Sequence, residues 1–539
     1  MAAVLALHTV GSVACTGLLV GKKASVDGSV MISYSADSHT LYGELYQWPS
    51  AQWPEGTLLE IKEWDTGKPL GFIPQVRETY GVIGNMNEHQ VAITESTWGG
   101  RRELEDSTGG IDYGSLIYIA LQRSRTAREA IEVMTSLVRE YGYYSSGETF
   151  SIADKHEVWM MEMIGKGVGR KGAVWVAIRI PDDCISAHAN QARIRKIPFG
   201  DKENCRYEEE VVSLAREKGY FEGKDEDFSF AEAYNPYDFS GLRACEARVW
   251  SFLRKYDKTM DRYVDFIKGD PSKEPMPLYI KPDRLVSVRD VQAAMRDHFE
   301  DTELDMVHDE GMGPYKVPYR WRPMHFTVDS VTYLHERAIA TQQSGFVIVP
   351  QLRSWLPDEI GGILWFGTDD ADMTVFTPMY CCLQTVPECY RQGNGDMLTF
   401  SWTSAFWIHN WVANMAYHKY SYMIQDIRKV QEELEDGYEQ TLPAIEGAAV
   451  ALHAEDPLRA VEFLTWYSVS TAKEATARWK ELGEYLLVKY IDGNVKKENG
   501  GGFVRNPYGR AVYPEFPGYD ETYYRNIVRS AGERLKVTD

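Results

Sequence analysis

Residues 14–37, ACTGLLVGKKASVDGSVMISYSAD, contain two apolar runs that a loop of turn-forming residues separates. The runs occupy residues 16–20 and 29–34, and glycine, serine and aspartate are frequent in the loop between them. This pattern predicts an antiparallel β-hairpin. In such a hairpin Cys15 lies opposite the end of the second run, which places Asp37 beside it without any long-range folding.

The pattern of paired strands continues to about residue 194. Between two of the further hairpins, residues 113–141 carry apolar side chains at three- and four-residue steps, which predicts a helix. The predicted strand pairs of these hairpins are residues 80–84 with 90–94, 150–153 with 158–162, and 174–178 with 184–187.

Strand-like runs return late in the chain, at residues 345–349 and 360–366. Long amphipathic helices are predicted at residues 406–435 and 472–496. Because strands recur so late, we expect the C-terminal half to complete the sheets begun early rather than to form a separate domain. Hairpin sheets interrupted by helices indicate an α+β fold built in layers.

The bulk composition is typical of a globular protein. Hydrophobic residues make up 44% and charged residues 25% of the 539-residue chain, which favours a well-buried core. The formal net charge of -21 disfavours nucleic acid as a partner, because a polyanion would be repelled. No uncharged apolar run is long enough to predict a transmembrane segment.

The first fourteen residues, MAAVLALHTVGSVA, contain no Asp, Glu, Lys or Arg and end with small side chains at Ser12 and Ala14. This pattern is typical of a secretory leader cut before Cys15, although a basic start is missing. We therefore expect residues 1–14 to be a leader and the protein to be exported, periplasmic or secreted, rather than cytoplasmic. A plain propeptide and an ordinary buried strand are the alternatives. Residues 15–539 are expected to form one domain with helical insertions and a helical C-terminal region.

The other six cysteines do not indicate a metal site. Export would allow some of them to form a disulfide, and buried free thiols are the alternative, because spacing does not determine pairing. Cys381, Cys382 and Cys389 lack a CxxC pair and a nearby histidine, so no zinc site is expected. Residues 369–372 lack the glycine and terminal glutamate of a calcium loop and are interpreted as a turn. No cofactor or metal is expected.

Cys15 is a candidate nucleophile, with buried packing as the alternative. A thiol attacks a carbonyl only as its thiolate, which requires a base or a positive environment. Cleavage before Cys15 would free an α-amine whose ordinary pKa is about 8, which suits it to accept the thiol proton. Asp37 would then hold and orient that amine.

Seven blocks of the sequence carry a resemblance to a known family. They are residues 14–29 (ACTGLLVGKKASVDGS), 84–100, 151–159, 186–194 (SAHANQARI), 241–250, 353–361 (RSWLPDEIG) and 405–414. These blocks resemble peptidase family C69, dipeptidases that are cysteine members of the N-terminal-nucleophile hydrolases. The resemblance extends over nearly the whole chain from Cys15 to about residue 430. It implies a four-layer αββα sandwich in which the mature amino-terminal cysteine attacks an amide carbonyl.

The resemblance also implies the other residues of the site. Attack on an amide carbonyl needs donors for the developing oxyanion, and Asn190, directly after a predicted strand, matches the side-chain donor of related hydrolases. A turn asparagine that satisfies local backbone is the alternative. Glu95, Ser96 and Thr97 leave a predicted hairpin at another edge of the active site and are expected to bind substrate.

One departure from the family pattern concerns positive charge. Many relatives carry a basic residue three positions before the aspartate, where this chain has Tyr34. Arg193 and Arg248 are candidates to supply that charge, with ordinary ion pairs as the alternative. A pair of Cys15 with His188, which would generate a thiolate without processing, is a further alternative.

The leading hypothesis is a dipeptidase that works through a thioester on Cys15. The second is an acylase of penicillin- or bile-salt-like N-acyl amides, which needs a largely apolar acyl pocket instead of charged groups for the peptide termini. The third is a non-catalytic, exported binding protein with a lipid on Cys15, but Ser12 stands where such sites favour leucine. A small peptide is the expected partner, and a homo-oligomer is compatible with the sequence.

Overall fold

The computed structural model describes residues 15–537 and, within them, contains twenty-four strands and twelve α-helices. The strands are β1 (Gly17–Val20), β2 (Val30–Ile32), β3 (Tyr34–Asp37), β4 (Gln47–Trp48), β5 (Ala51–Gln52), β6 (Leu58–Lys62), β7 (Pro69–Pro74), β8 (Glu78–Thr79), β9 (Val82–Ile83), β10 (Met86–Asn87), β11 (Ala92–Trp98), β12 (Gly147–Ala153), β13 (Val158–Gly165), β14 (Ala173–Ile180), β15 (Ile185–His188), β16 (Cys205–Tyr207), β17 (Tyr279–Ile280), β18 (His325–Val328), β19 (Val331–Leu334), β20 (Ser344–Leu352), β21 (Gly362–Thr368), β22 (Thr377–Tyr380), β23 (Glu498–Asn499) and β24 (Gly502–Phe503). The helices are α1 (Tyr113–Arg123), α2 (Ala127–Tyr141), α3 (Val211–Glu217), α4 (Phe230–Tyr234), α5 (Ala247–Arg254), α6 (Val264–Ile267), α7 (Val288–Met295), α8 (Asp358–Gly361), α9 (Ala405–Ala416), α10 (Tyr420–Glu455), α11 (Pro457–Tyr490) and α12 (Glu521–Ala531).

Most strands belong to two eight-stranded antiparallel sheets. The order in the first sheet is β17-β15-β1-β2-β20-β21-β22, and β3 also pairs with β20. The order in the second sheet is β16-β14-β13-β12-β11-β10-β9-β4. The late strands β20, β21 and β22 share a sheet with β1, which confirms that the C-terminal half completes a sheet begun early.

The two sheets pack against each other, and helices pack on both. Strand β1 contacts β11, and β2 contacts β12 and β13. Helices α1 and α2 lie on the second sheet, while α5, α7, α9 and α11 contact strands of the first sheet. A large hydrophobic core includes residues of both sheets and of the C-terminal helices, and a smaller core lies under α1 and α2. The architecture is mixed α/β with antiparallel sheets, compatible with an α+β fold.

The first predicted hairpin forms with the expected register. Strands β1 and β2 pair antiparallel, and the backbone N–H of Ser35 donates to the carbonyl oxygen of Thr16 at 3.0 Å. Continued by one residue, this register places Cys15 beside the end of β3, where Asp37 lies. The hairpin of residues 150–153 with 158–162 is also confirmed, as β12 and β13.

Another predicted hairpin is wrong. Residues 174–178 and 184–187 lie in β14 and β15, which belong to different sheets. The loop between them crosses from the second sheet to the first, and the carbonyl oxygen of Asp182 accepts the N–H of Lys23 at 2.8 Å in the first hairpin's loop. Both strands are almost entirely buried on both faces, so their side-chain pattern does not show which sheet each joins.

Two predicted helices are each divided in the structure. Residues 113–141 form α1 and α2, because Thr126 caps a new helix by accepting the backbone N–H of Glu129. Residues 406–435 are divided between α9 and α10. Apolar periodicity persists across both breaks and therefore did not reveal them. None of the helices within residues 15–537 is both long and apolar enough to cross a membrane.

The close packing of β1 leads to a stability prediction. A Cβ atom at Gly17 would lie 2.5 Å from His188 Nε2, in a ring that Ser96 and Ser151 hold at both nitrogens. Gly17→Ala should therefore lower the free energy of unfolding by about 1–3 kcal/mol, measurable as a lower melting temperature.

A matched control is available on α10. Apart from its chain neighbours and the backbone of its own helix, no atom of residues 15–537 lies within 4 Å of the Cβ position at Gly437, so Gly437→Ala should stabilise that helix by about 0.5–1 kcal/mol. An unchanged melting temperature for Gly17→Ala would contradict the packing described here.

Candidate active site

Cys15 lies where the two sheets meet. Its Sγ is 3.5 Å from Oε1 of Glu95 on β11 and 3.8 Å from the hydroxyl of Tyr34 on β3. The Tyr34 hydroxyl donates a short hydrogen bond to the same Glu95 oxygen. Cys15 and Glu95 are fully buried. The thiol is thus in contact with residues of both sheets.

The end of β10 allows this contact. Strand β10 pairs with β11 only at Met86 and Ala92, and the last backbone bond on that side runs from Ile93 N to Asn85 O at 3.0 Å. Beyond it, among the described strands, β11 pairs only with β12. Glu95 therefore lies on the part of β11 that has a neighbouring strand, β12, on one side only.

Asp37 is anchored on the other side of Cys15. Its carboxylate forms a buried ion pair with Arg337. It also accepts hydrogen bonds from the hydroxyls of Ser344 at 2.6 Å and Ser35 at 3.0 Å. The structure therefore brings Asp37 to Cys15, as the hairpin register predicts, and holds the carboxylate in a fixed orientation.

Burial raises the pKa of the Cys15 thiol well above its ordinary value, and the negative charges of Glu95 and Asp37 raise it further. Hydrogen bonds of Cys15 with the Asp37 backbone and with the Tyr34 hydroxyl lower the thiol pKa but do not outweigh these effects. The thiol is therefore protonated in this state, and forming the thiolate requires a base or a nearby positive charge.

A second buried glutamate, Glu148 on β12, lies close to Glu95. Glu148 is opposite Thr97 in the strand pairing. Burial raises the pKa of Glu95 to about 7, and burial together with the charge of Glu95 raises the pKa of Glu148 well above its ordinary value. Glu148 is not among the site residues predicted from sequence, although a lone charge in the buried strand GETFSIA was a usable signal.

Asn190 follows β15 with φ of 56°, a left-handed conformation that asparagine tolerates better than most residues. Its Nδ2 donates to the carbonyl oxygen of Thr97 at 2.5 Å, and its Oδ1 accepts from Arg248 at 2.8 Å. Its backbone N–H donates to Ser96 Oγ at 3.3 Å. The side chain is thus fixed between the end of β11 and helix α5.

Arg248 joins Asn190 to Cys15. One guanidinium nitrogen, Nη1, donates to the Cys15 carbonyl oxygen and to Thr16 Oγ1, both at 2.8 Å. Burial, followed by the repulsion of Arg337, lowers the pKa of Arg248 to about 10, which leaves it charged at neutral pH.

Arg193, the other candidate, is not at Cys15. It forms an ion pair with Glu246 at 2.9 Å and donates to the carbonyl oxygens of Ala187 and Pro277. Of the two arginines considered from sequence, only Arg248 contacts the candidate nucleophile.

Two further arginines surround Asp37 and were missed by the sequence analysis. Arg337 pairs with the carboxylate directly. Arg322 Nε donates to Gln343 Oε1 at 2.7 Å, and Gln343 Nε2 donates to the Asp37 carbonyl oxygen at 3.3 Å. Burial and the repulsion of Arg337 lower the pKa of Arg322 to about 10. Because these residues lie about 300 positions from Asp37 in the chain, no local motif could have revealed them.

The hydroxyl of Ser96 lies 2.6 Å from His188 Nδ1, and that of Ser151 lies 2.7 Å from Nε2. Burial lowers the pKa of His188 to about 3, so the ring is neutral. Both ring nitrogens are therefore engaged by serine hydroxyls, and no contact of His188 with the Cys15 thiol is present among residues 15–537. These contacts favour a structural role for His188 over a Cys–His pair. They also direct the Ser96 hydroxyl towards the His188 ring.

The remaining polar groups do not form a metal site. Within residues 15–537, no group of three or more His, Cys, Asp or Glu side chains is placed to hold a metal ion. All seven cysteines are free thiols.

Comparison with known proteins identifies the family. The sequence profile of peptidase family C69 matches residues 14–433. The chain belongs to peptidase family C69. A probable dipeptidase of Latilactobacillus sakei is 26% identical over 476 residues, covering 84% of this chain and 90% of that protein. Dipeptidase A of Lactobacillus helveticus is 27% identical over 448 residues, covering 79% of this chain and 85% of that protein. A probable dipeptidase of Salmonella dublin is 24% identical over 397 residues, covering 68% of this chain and 81% of that protein. Membership of C69 supports a peptidase.

The electrostatics of this C69 site can be tested with the uncleaved chain. Glu95→Gln should increase the rate at which iodoacetamide alkylates Cys15 above about pH 7, where Glu95 is ionised. Removing that charge lowers the thiol pKa and raises the thiolate fraction. Mass spectrometry of the Cys15 peptide across a pH series should show the midpoint of alkylation at lower pH.

The control is Glu157→Gln, at the turn after β12, where the carboxylate pairs with Arg128 and Arg179. This variant should leave the alkylation profile unchanged. A midpoint that does not move in Glu95→Gln would show that Glu95 does not govern the thiol.

Proposed function

We propose that this protein is a dipeptidase that hydrolyses its substrate through a thioester on Cys15, after cleavage of the chain before that residue. The observation that carries the proposal is the placement of Cys15 between carboxyl groups on one side and arginines on the other. Glu95 contacts the thiol, and Arg248 binds the Cys15 carbonyl oxygen. A dipeptide carries one positive and one negative terminus, so a short substrate matches a site with both charges.

The proposed reaction begins with the α-amine that cleavage before Cys15 would free. This amine accepts the thiol proton while Asp37 orients it, and the sulfur attacks the peptide carbonyl carbon. Asn190 donates to the oxyanion, and the leaving amine takes the proton as the peptide bond breaks. Water then hydrolyses the thioester, which releases the first amino acid and restores the thiol.

Contacts at three residues, Cys15, Asp37 and Asn190, support these roles. Arg248 fixes the Cys15 carbonyl and therefore the position of a terminus at this residue. The Asp37 carboxylate is immobilised by two hydroxyls and Arg337. The Asn190 amide is oriented by Arg248 and Thr97. Pre-orientation of this kind lowers the reorganisation needed in the transition state.

We further propose the four-layer sandwich of N-terminal-nucleophile hydrolases for this chain. Two eight-stranded antiparallel sheets in contact, with helices on each, support it. The family match includes Cys15 and begins one residue before it. We also retain export as part of the proposal, with residues 1–14, outside the described residues, as the leader.

The polarity of the site favours a dipeptidase over the two rival functions. An acylase needs a largely apolar acyl pocket, whereas Cys15 is surrounded by Glu95, Tyr34 and Arg248. A lipid-bearing cysteine needs an exposed side chain, but Cys15 is fully buried in the large core.

The first functional prediction concerns the nucleophile. Active protein should begin at Cys15, because an amide nitrogen cannot serve as the base. Cys15→Ala should abolish dipeptide hydrolysis, measured by release of free amino acids. Amino-terminal sequencing and mass spectrometry give the terminus, and a diacylglycerol on Cys15 would support the lipid-anchored alternative. Full activity of a chain that still begins at Met1 would exclude the amine as base.

The second functional prediction separates Asp37 from Asn190. Asp37→Asn should lower kcat strongly and shift its pH dependence, because the charge that sets the proton affinity of the amine is lost. Asn190→Ala should lower kcat by about 100-fold or more with little change in KM or pH profile, because its interaction forms mainly in the transition state.

Both variants must keep the wild-type circular dichroism spectrum and a cooperative melt. If Asn190→Ala turns over normally, the oxyanion donor lies elsewhere. If Asp37→Asn leaves the pH profile unchanged, Asp37 does not act on the amine.

A further inference from the structure

Two glutamates beside Cys15 have oxygen atoms that are not satisfied within the described part of the chain. Glu95 and Glu148 are both 0% exposed. Among residues 15–537, Oε2 of Glu95 and both carboxyl oxygens of Glu148 accept no hydrogen bond of ordinary geometry. The two carboxyl groups interact with each other, and Glu148 also interacts with the Thr97 side chain. Buried carboxyl groups in proteins normally have a donor from another group, because desolvation without one is costly. These oxygens are therefore candidates to accept hydrogen bonds from a ligand.

The two carboxyl groups form one unit that lies next to the nucleophile. Glu148 faces Thr97 across the strands, and Glu95 lies two residues before Thr97 on β11. Each carboxyl affects the ionisation of the other. Oε1 of Glu95 is 3.5 Å from the Cys15 sulfur. We call Glu95 and Glu148 together the carboxyl pair.

The surroundings of the carboxyl pair contain acids and phenols. Tyr34 and Cys15 contact Glu95, and Asp65 acts on both carboxyl groups by repulsion. The arginines of the site bind elsewhere: Arg248 to the Cys15 carbonyl and Arg337 to Asp37. The pair therefore attracts a small cation that approaches the sulfur.

We propose that the carboxyl pair binds the α-ammonium group of the substrate's first residue. This proposal rests on the proposed dipeptidase function and names the residues that recognise the free amino terminus. In attack, the sulfur lies about 3–3.5 Å from the carbonyl carbon. The α-nitrogen is two bonds from that carbon and so lies within about 3–5 Å of the sulfur. That is the distance range in which Glu95 Oε1 lies.

Two consequences follow for specificity and activation. A substrate without a free α-amine leaves two buried carboxyl groups unpaired, which selects against N-acylated compounds and against peptides extended at the amino side. A bound ammonium also offsets the negative charge of Glu95, one of the charges that raise the thiol pKa. The substrate itself would then favour the thiolate.

The test compares alanyl-alanine with propionyl-alanine, which has the same shape but lacks the α-amine. Mature wild-type protein should strongly prefer the dipeptide in kcat/KM. Glu148→Gln keeps the side-chain shape and does not touch the sulfur. It should reduce this preference by about 10- to 100-fold, mainly through KM for the dipeptide. Glu157→Gln, the same substitution in the turn after β12, should leave the preference unchanged.

An equal loss on both substrates would overturn the proposal, because the pair would then act on the enzyme's own α-amine or on the fold. A wild-type enzyme without preference would overturn it as well. The pH dependence of the wild type gives a second measurement that needs no variant. The preference should fall as the pH drops below about 7, where Glu95 gains a proton. A preference that is constant through this range would contradict a role for the carboxylate.

The Cys15→Ala and Glu148→Gln variants together distinguish a failure of this proposal from a failure of the proposed dipeptidase function. If Cys15→Ala retains dipeptide hydrolysis, the proposed function fails, and this inference fails with it. If Cys15→Ala is inactive and Glu148→Gln keeps the wild-type preference, the dipeptidase stands and only the carboxyl pair's role is overturned.

Discussion

The guanidinium of Arg248 holds together three parts of the chain that are far apart in sequence. It binds the Cys15 carbonyl and the Thr16 hydroxyl before β1, and it binds Asn190 after β15. A planar guanidinium with several donors can make these contacts at once, whereas a lysine ammonium could not reproduce their geometry. The position of the candidate nucleophile relative to the proposed oxyanion donor therefore depends on one buried side chain of α5. Loss of Arg248 would leave the acceptors of Cys15, Thr16 and Asn190 without this donor.

Charge is separated across Cys15, and the separation follows from the two sheets. Glu95 and Glu148 belong to neighbouring strands of the second sheet, while Asp37 belongs to β3 of the first and pairs with Arg337 from the segment before β20. Closure of the sheets onto each other also removes the water that would otherwise screen these groups, so their effects on the thiol are strong.

Local sequence predicted those parts of the site that depend on local geometry. The hairpin of β1 and β2 placed Asp37 beside Cys15, because strand pairing about a short loop fixes the register. Sequence pattern could not assign β14 and β15 to different sheets, since a buried apolar strand fits either. Arg337 and Arg322 were also beyond reach, because long-range packing alone brings them to Asp37. The resemblance to C69 supplied Asn190, for which the residues alone offered only a turn.

The buried side chains of Glu95 and His188 contribute to folding stability in opposite ranges of pH. The pKa of Glu95 is raised from 4.5 to about 7, so its contribution to folding is complete below about pH 4.5 and is lost as the pH rises through about 7. The pKa of His188 is lowered from 6.5 to about 3, so its contribution is complete above about pH 6.5 and is lost as the pH falls towards 3. At no pH are both contributions to folding stability complete. Neutral side chains of the same shape would remove this conflict, but they would also remove the charge beside the nucleophile. The conflict is therefore typical of a site where stability is given up for reactivity.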